Sequence, residues 1–142
     1  CRTIAIETPF NFRLNKLKVG GRIDRIDKLT DGRIEIIDYK TGNNMPDEKK
    51  IKEDFQLSFY ALAATEIRDG IFNRSPEEII LTLYYLEPNK KISTVRTKDD
   101  LERAKDRIVT LVDEISRSTF YCNGGMFCKN CEYKMLCSTY TN

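Results

Sequence analysis

The chain has 142 residues, 40% hydrophobic and 32% charged, enough apolar material for one domain-sized core under a charged surface. No apolar run approaches the roughly 20 residues of a membrane-spanning helix and no signal peptide opens the chain, so no membrane partner is expected. The 24 Lys and Arg against 22 Asp and Glu leave +2, far from a protein that merely coats nucleic acid, and the lack of histidine removes Ser–His and Cys–His catalysis and histidine metal ligands.

Three strands are predicted first, at about Thr3 to Leu14, Leu17 to Leu29 and Arg33 to Lys40. Short polar turns, Asn15-Lys16 and Thr30-Asp31-Gly32, separate them and make an antiparallel meander. Ile51, Phe55, Phe59, Leu62 and Ile67 then recur near helical spacing and predict one helix over about Asp47 to Arg68. Ser75-Pro76-Glu77-Glu78 carries an N-cap, a helix-starting proline and a capping glutamate, and leads into a buried strand, Ile79 to Leu86. An edge-like strand follows at Lys91 to Arg96. Thr97 caps a long helix, Lys98 to about Ser118, whose stripe of Leu101, Ala104, Ile108, Leu111, Val112 and Ile115 reads as core packing. The order predicts an α+β fold, a mixed sheet flanked by helices and ending in a Cys-rich module.

The segments richest in chemistry are Gly20-Gly21-Arg22-Ile23-Asp24-Arg25-Ile26-Asp27 and Ile36-Ile37-Asp38-Tyr39-Lys40-Thr41-Gly42. Alternation along a strand turns Ile34, Ile36, Asp38 and Lys40 to one face, and Ile37 and Tyr39 to the other. An acid and an ammonium therefore leave the end of a hydrophobic strand together, with Asp24 within reach on the preceding strand. Two carboxylates from neighbouring strands suit Mg2+ or Mn2+, and a lysine beside them can orient water or stabilise charge on a phosphate. The alternative is that Asp24 and Asp38 form ordinary salt bridges with Arg22, Arg25 or Lys40. Burial of an Asp-x-Lys pair favours the site, because buried charges need partners or a job. Gln56 and Tyr60, four apart on the following helix, share a face and could hold water, a phosphate or the Lys40 region; amphipathic packing is the other reading.

Of the five cysteines, Cys122, Cys128, Cys131 and Cys137 cluster near the end as C-x5-C-x2-C-x5-C, and Cys1 stands apart. A secreted disulfide scaffold would spread them, so the cluster reads as a metal or iron–sulfur site in a reducing compartment, with a cytoplasmic location expected. Cys122 could complete a four-thiolate Zn2+ site, Cys1 could stand near, or the fourth ligand could lie upstream of this chain. Gly124-Gly125 supplies a tight turn for such a module.

Together, Gly-Arg-Ile-Asp-Arg-Ile-Asp, Ile-Ile-Asp-Tyr-Lys-Thr-Gly and Gln56-x3-Tyr60 resemble the RecB/AddB-type nuclease domain of the PD-(D/E)XK superfamily, from about Glu7 to Cys137. The resemblance implies a restriction-endonuclease-like core over residues 1–121 and a cysteine segment, 122–142, packed on it. It implies Mg2+- or Mn2+-dependent hydrolysis of DNA phosphodiesters in repair or recombination, beside a helicase domain or subunit of the parent protein. Asp24 and Asp38 would be metal ligands, with the backbone carbonyl of Tyr39 as a third. Lys40 would be the catalytic lysine, and Gln56 and Tyr60 would orient the active site and DNA. Glu7 resembles the acidic position on the strand before the meander. Cys128, Cys131 and Cys137 resemble three ligands of a structural 4Fe-4S cluster. One departure matters: such domains usually place a histidine on an upstream helix beside the metal. Its absence suggests either that upstream helices are missing here or that the domain is a catalytically inactive DNA-binding or structural module. Arg22, Arg25, Lys40 and the Lys49-Lys50-Lys52 group are candidates for phosphate contacts, a solvated helix face being the alternative for the three lysines.

Overall fold

The structure is a computed structural model that describes residues 1–118 and 124–137. The chain divides into two compact units, Cys1–Arg107 and Ile108–Asn142. In the first, β1 (Arg2–Leu14), β2 (Leu17–Lys28) and β3 (Ile34–Lys40) form the expected antiparallel meander. A two-residue turn joins Leu14 to Leu17, with Asn15 in the left-handed region that asparagine tolerates. At the next turn Gly32 takes φ +90, and the Leu29 amide donates to the Arg33 carbonyl.

β4 (Ile79–Tyr85) lies parallel to β3, and β5 (Lys90–Thr94) returns antiparallel, so the sheet is mixed in the order β1-β2-β3-β4-β5. The parallel step requires a crossover, which α1 (Glu48–Lys52) and α2 (Phe55–Glu66) supply. β3 and β4 have both neighbours paired and read IEIIDYK and IILTLYY, the near-continuous apolar pattern of central strands. Ile26, Ile34, Ile36, Leu81 and Leu83 are buried with Leu57, Leu62 and the alanines of α2. Cutting one of these isoleucines back to alanine costs about 2–5 kcal/mol.

Two expectations change. The single helix over Asp47 to Arg68 is two helices, because Asp54 turns extended and its carboxylate caps α2 by accepting from the Leu57 amide at 2.8 Å. The last strand stops at Thr94, and Arg96 beyond it is buried. Its guanidinium donates to the Ile51 carbonyl at 3.0 Å, the Asp54 carbonyl at 2.9 Å and the Ser58 hydroxyl at 2.9 Å. Those carbonyls end α1 and precede α2, so Arg96 pins the elbow that sets the direction of α2. Burial lowers the pKa of Arg96, opposed by the more distant charges of Asp100 and Asp54.

Thr97 and Asp100 cap α3 (Lys98–Arg117) reciprocally: the Asp100 amide donates to Thr97 Oγ1 and the Thr97 amide to Asp100 Oδ2. The α3 stripe is only partly core, since Leu101, Ala104 and Ile108 are buried while Val112 and Ile115 are exposed. In the second unit, Met126–Asn130 and Lys134–Leu136 are 3-10 turns, and Gly124 has a φ of +66.

Candidate active site

The site forms where β2 and β3 part. Their pairing runs from Lys28 opposite Ile34 to Arg25 opposite Ile37. One step further would set Asp24 opposite Asp38, and there the ladder ends. Asp24 takes over as acceptor: the Tyr39 amide donates to its Oδ2 at 2.9 Å. Because the amide and carbonyl of one strand residue face the same edge, the Tyr39 carbonyl turns toward Asp24 as well. On the far edge the Lys40 carbonyl accepts from the Leu86 amide, which fixes the end of β3 from the other side.

Asp38 is 3% exposed. Its Oδ1 accepts from the Tyr60 hydroxyl at 2.9 Å, and its Oδ2 meets the Lys40 ammonium at 2.6 Å. Lys40 also donates to Gln56 Oε1 at 2.7 Å, and the Gln56 amide nitrogen donates to the Tyr60 oxygen at 2.8 Å. Asp38, Lys40, Gln56 and Tyr60 thus close a ring between β3 and α2. The spacing of two along a strand and four along a helix is what lets both pairs meet. Burial, followed by the charge of Asp38, pushes the Tyr60 phenol above its ordinary range, so its O–H is a hydrogen-bond donor and not a base.

Asp38 Oδ2 is buried and lacks a hydrogen bond of good geometry, although Lys40 touches it. A buried carboxylate oxygen left in this state is an open electron-pair donor. With the Asp24 carboxylate and the Tyr39 carbonyl it makes an all-oxygen set of the kind hard divalent cations take, so the residues fit Mg2+ or Mn2+. Of the salt-bridge alternatives, only Lys40 with Asp38 is formed. Arg22 faces Glu7, and Arg25 binds Asp27 through two hydrogen bonds at 2.8 and 2.7 Å.

Glu7 stands between the pairs Ile6–Arg25 and Thr8–Ile23, opposite Asp24. Its φ is +49, it is exposed, and its carboxylate lies 3.6 Å from Arg22. Among the described residues, no group of three or more Cys, Asp, Glu or His side chains is gathered to hold a metal. Cys128 and Cys137 are half-buried and Cys131 and Cys1 exposed, while Cys122 lies outside the described residues. A ladder of backbone bonds, Cys128 to Gly125, Cys131 to Cys128, Lys134 to Cys131 and Cys137 to Lys134, runs through the cysteine segment.

Sequence reasoning missed three contributors. Asp54 carried a signal, an N-cap residue directly before an apolar run. Arg96 carried none, since an arginine after a strand reads as surface. Asp27 was legible only as one more charge, yet it is 2% exposed and held well below the ordinary carboxylate range by its hydrogen bonds from Arg25.

A model of the PD-(D/E)XK nuclease superfamily matches residues 1–138. The chain is 28% identical over 122 residues to an ATP-dependent helicase/deoxyribonuclease subunit from Streptococcus agalactiae serotype Ia, covering 84% of this chain and 11% of that protein. It is 43% identical over 65 residues to the Gene 69 protein of Mycobacterium phage L5, covering 46% of this chain and 20% of that one. It spans at most about a fifth of the length of these relatives. The crystal structure of SSO0001 shares the fold with a TM-score of 0.54 at 17% identity, covering 97% of this chain and 62% of that one. The acid-x-lysine of the family's name matches Asp38-Tyr39-Lys40, and with a family match across nearly its whole length the chain belongs to the PD-(D/E)XK nuclease superfamily.

Proposed function

We propose that this chain hydrolyses DNA phosphodiester bonds with Mg2+ or Mn2+, as part of a DNA repair or recombination protein that includes or recruits a helicase. The observation that carries the reading is the ring of Asp38, Lys40, Gln56 and Tyr60 beside Asp24, in a chain of this superfamily. Asp24, Asp38 and the Tyr39 carbonyl would hold the ion. When bound, a divalent cation stabilises the charge that develops on a phosphate under attack.

The chain's own residues do the rest. Lys40, held by Gln56, presents its ammonium at the edge of the site, where it can orient a water and meet a phosphate oxygen. Tyr60 keeps its proton and steadies Asp38 Oδ1, leaving Oδ2 as the open atom. Asp24, tied to the Tyr39 amide, keeps the end of β3 aligned with β2.

The test is cleavage of labelled DNA in Mn2+ and in Mg2+, with Lys40→Ala beside the parent sequence. Cleavage that disappears in the variant supports the reading, and equal cleavage by both contradicts it. The absence of histidine from the sequence favours a second reading, a catalytically silent DNA-binding module of the same fold. DNA binding with no cleavage in either metal would select it.

A 4Fe-4S cluster on Cys128, Cys131 and Cys137, with Cys122, Cys1 or a cysteine upstream of this chain as fourth ligand, rests on the spacing and the family resemblance, since the described thiols are not gathered into one group. No catalytic step depends on it. A brown anaerobic preparation with broad visible absorbance would support the cluster; a colourless one with stoichiometric zinc would replace it with Zn2+.

A further inference from the structure

Next to the Asp38–Lys40 ring lies a cleft of about 410 Å³ that the hydrolytic chemistry does not use. That volume lies within the roughly 300–1,000 Å³ of small-molecule sites in general. Gln56 and Tyr60 form one wall, so the cleft and the ring share two side chains. Phe55 and Phe59 continue that wall along α2, perpendicular to each other at 4.7 Å; both are half-buried, and the Arg107 guanidinium lies over the Phe55 ring at 4.5 Å, which leaves Phe59 as the ring facing the cleft. Phe10 of β1 lies against Tyr60 edge to face at 6.1 Å. Its cross-strand partner is Gly21, where a Cβ would come within 2.9 Å of the Phe10 ring. At Gly20 a Cβ would meet the Phe10 backbone oxygen at 2.9 Å, so the β2 side of the cleft has no side chain until Arg22.

We infer that this cleft is a stacking subsite for an unpaired nucleobase of the DNA strand whose phosphate is presented to Lys40. The inference rests on the nuclease reading for that phosphate, and on the cleft itself for the base. The part-exposed ring of Phe59, beside the Phe10 ring that lies over Gly21, offers a face to a flat ring, and stacking tolerates any base because every base has a π-face. The one charged wall residue is Arg22, whose partner Glu7 is 3.6 Å away with both side chains well exposed, so its guanidinium is open to a phosphate. An apolar peptide side chain would find the rings but would leave Arg22 and the adjoining Lys40 unused. A base inside a duplex already has both faces stacked, so the occupant is single-stranded DNA or a frayed end.

The experiment measures binding by fluorescence anisotropy in EDTA, with a labelled single strand, a duplex of the same length and a single strand of abasic sugar-phosphates. For Phe59→Ala, single-strand affinity should fall about tenfold while duplex and abasic affinities stay within about twofold. Phe59→Tyr should restore binding and Phe59→Leu should not, a split that mere loss of packing would not produce. Equal weakening on all three ligands, or rescue by Phe59→Leu, would overturn the stacking site, the latter pointing to an apolar protein segment instead. Cleavage assays on the same preparations separate the two proposals. Base-dependent binding without cleavage in Mn2+ keeps the subsite and discards the nuclease, and cleavage without base-dependent binding does the reverse.

Discussion

Two acid–base pairs, each two residues apart on neighbouring strands, end in opposite conditions. On one face of the sheet Arg25 grips Asp27 with both carboxylate oxygens bonded. On the other, Lys40 meets Asp38 but shares itself with Gln56 and leaves Asp38 Oδ2 without a well-directed hydrogen bond. The acids are equally buried, at 2% and 3% exposure. The planar fork of an arginine satisfies a carboxylate completely, whereas an ammonium is a point charge that other groups can divide. The first pair is therefore a pin, whereas in the second the lysine is divided between Asp38 and Gln56.

The largest effect that sharpens this contrast is on catalysis. Lys40→Ala or Asp38→Ala should lower the single-turnover cleavage rate at least about 10²–10³-fold. Denaturation midpoints would show whether these variants remain folded. Next comes the pin: Arg25→Ala removes both of its hydrogen bonds from the buried Asp27 and should cost about 2 kcal/mol in urea unfolding. The sign of its pH dependence follows from Arg25, which lowers the folded-state pKa of Asp27 below its unfolded value. Asp27 thus contributes stability above about pH 4 that is lost as pH falls through the folded pKa. Stability measured from pH 6 downward should fall in the parent chain, and Arg25→Ala should flatten that slope.

Tyr60→Phe is expected to act more gently. It removes one donor from Asp38 and should slow cleavage about tenfold, a loss near 1.4 kcal/mol. Because the phenol is pushed above its ordinary range, the variant should leave the alkaline side of the pH–rate profile in place up to pH 9. Asp54→Ala, which removes the cap that starts α2, should cost about 1 kcal/mol of stability and lower kcat more than it changes KM, since Gln56 lies in the first turn.

The features legible in advance were those held within one element. Asp38 and Lys40 follow from strand alternation, Gln56 and Tyr60 from helical spacing, and Thr97 from its place before a charged first turn. The features that escaped reading depend on elements far apart in the chain. The elbow at Asp54 is held by Arg96, some forty residues later. The parallel seat of β4 beside β3 is a consequence of the crossover, not of either strand's own pattern. The aromatic cleft draws on β1, β2 and α2 at once. Arg22 and Arg25 looked equally able to neutralise Asp24, and only the register shows that both are engaged elsewhere.

The most direct test of the account compares Asp38→Asn with Asp27→Asn in one assay of DNA cleavage in Mn2+, with rates normalised to folded protein. Near-complete loss for Asp38→Asn and a rate close to the parent's for Asp27→Asn is the expected result. Equal rates for the two variants would contradict the assignment of chemistry to the Asp38–Lys40 pair.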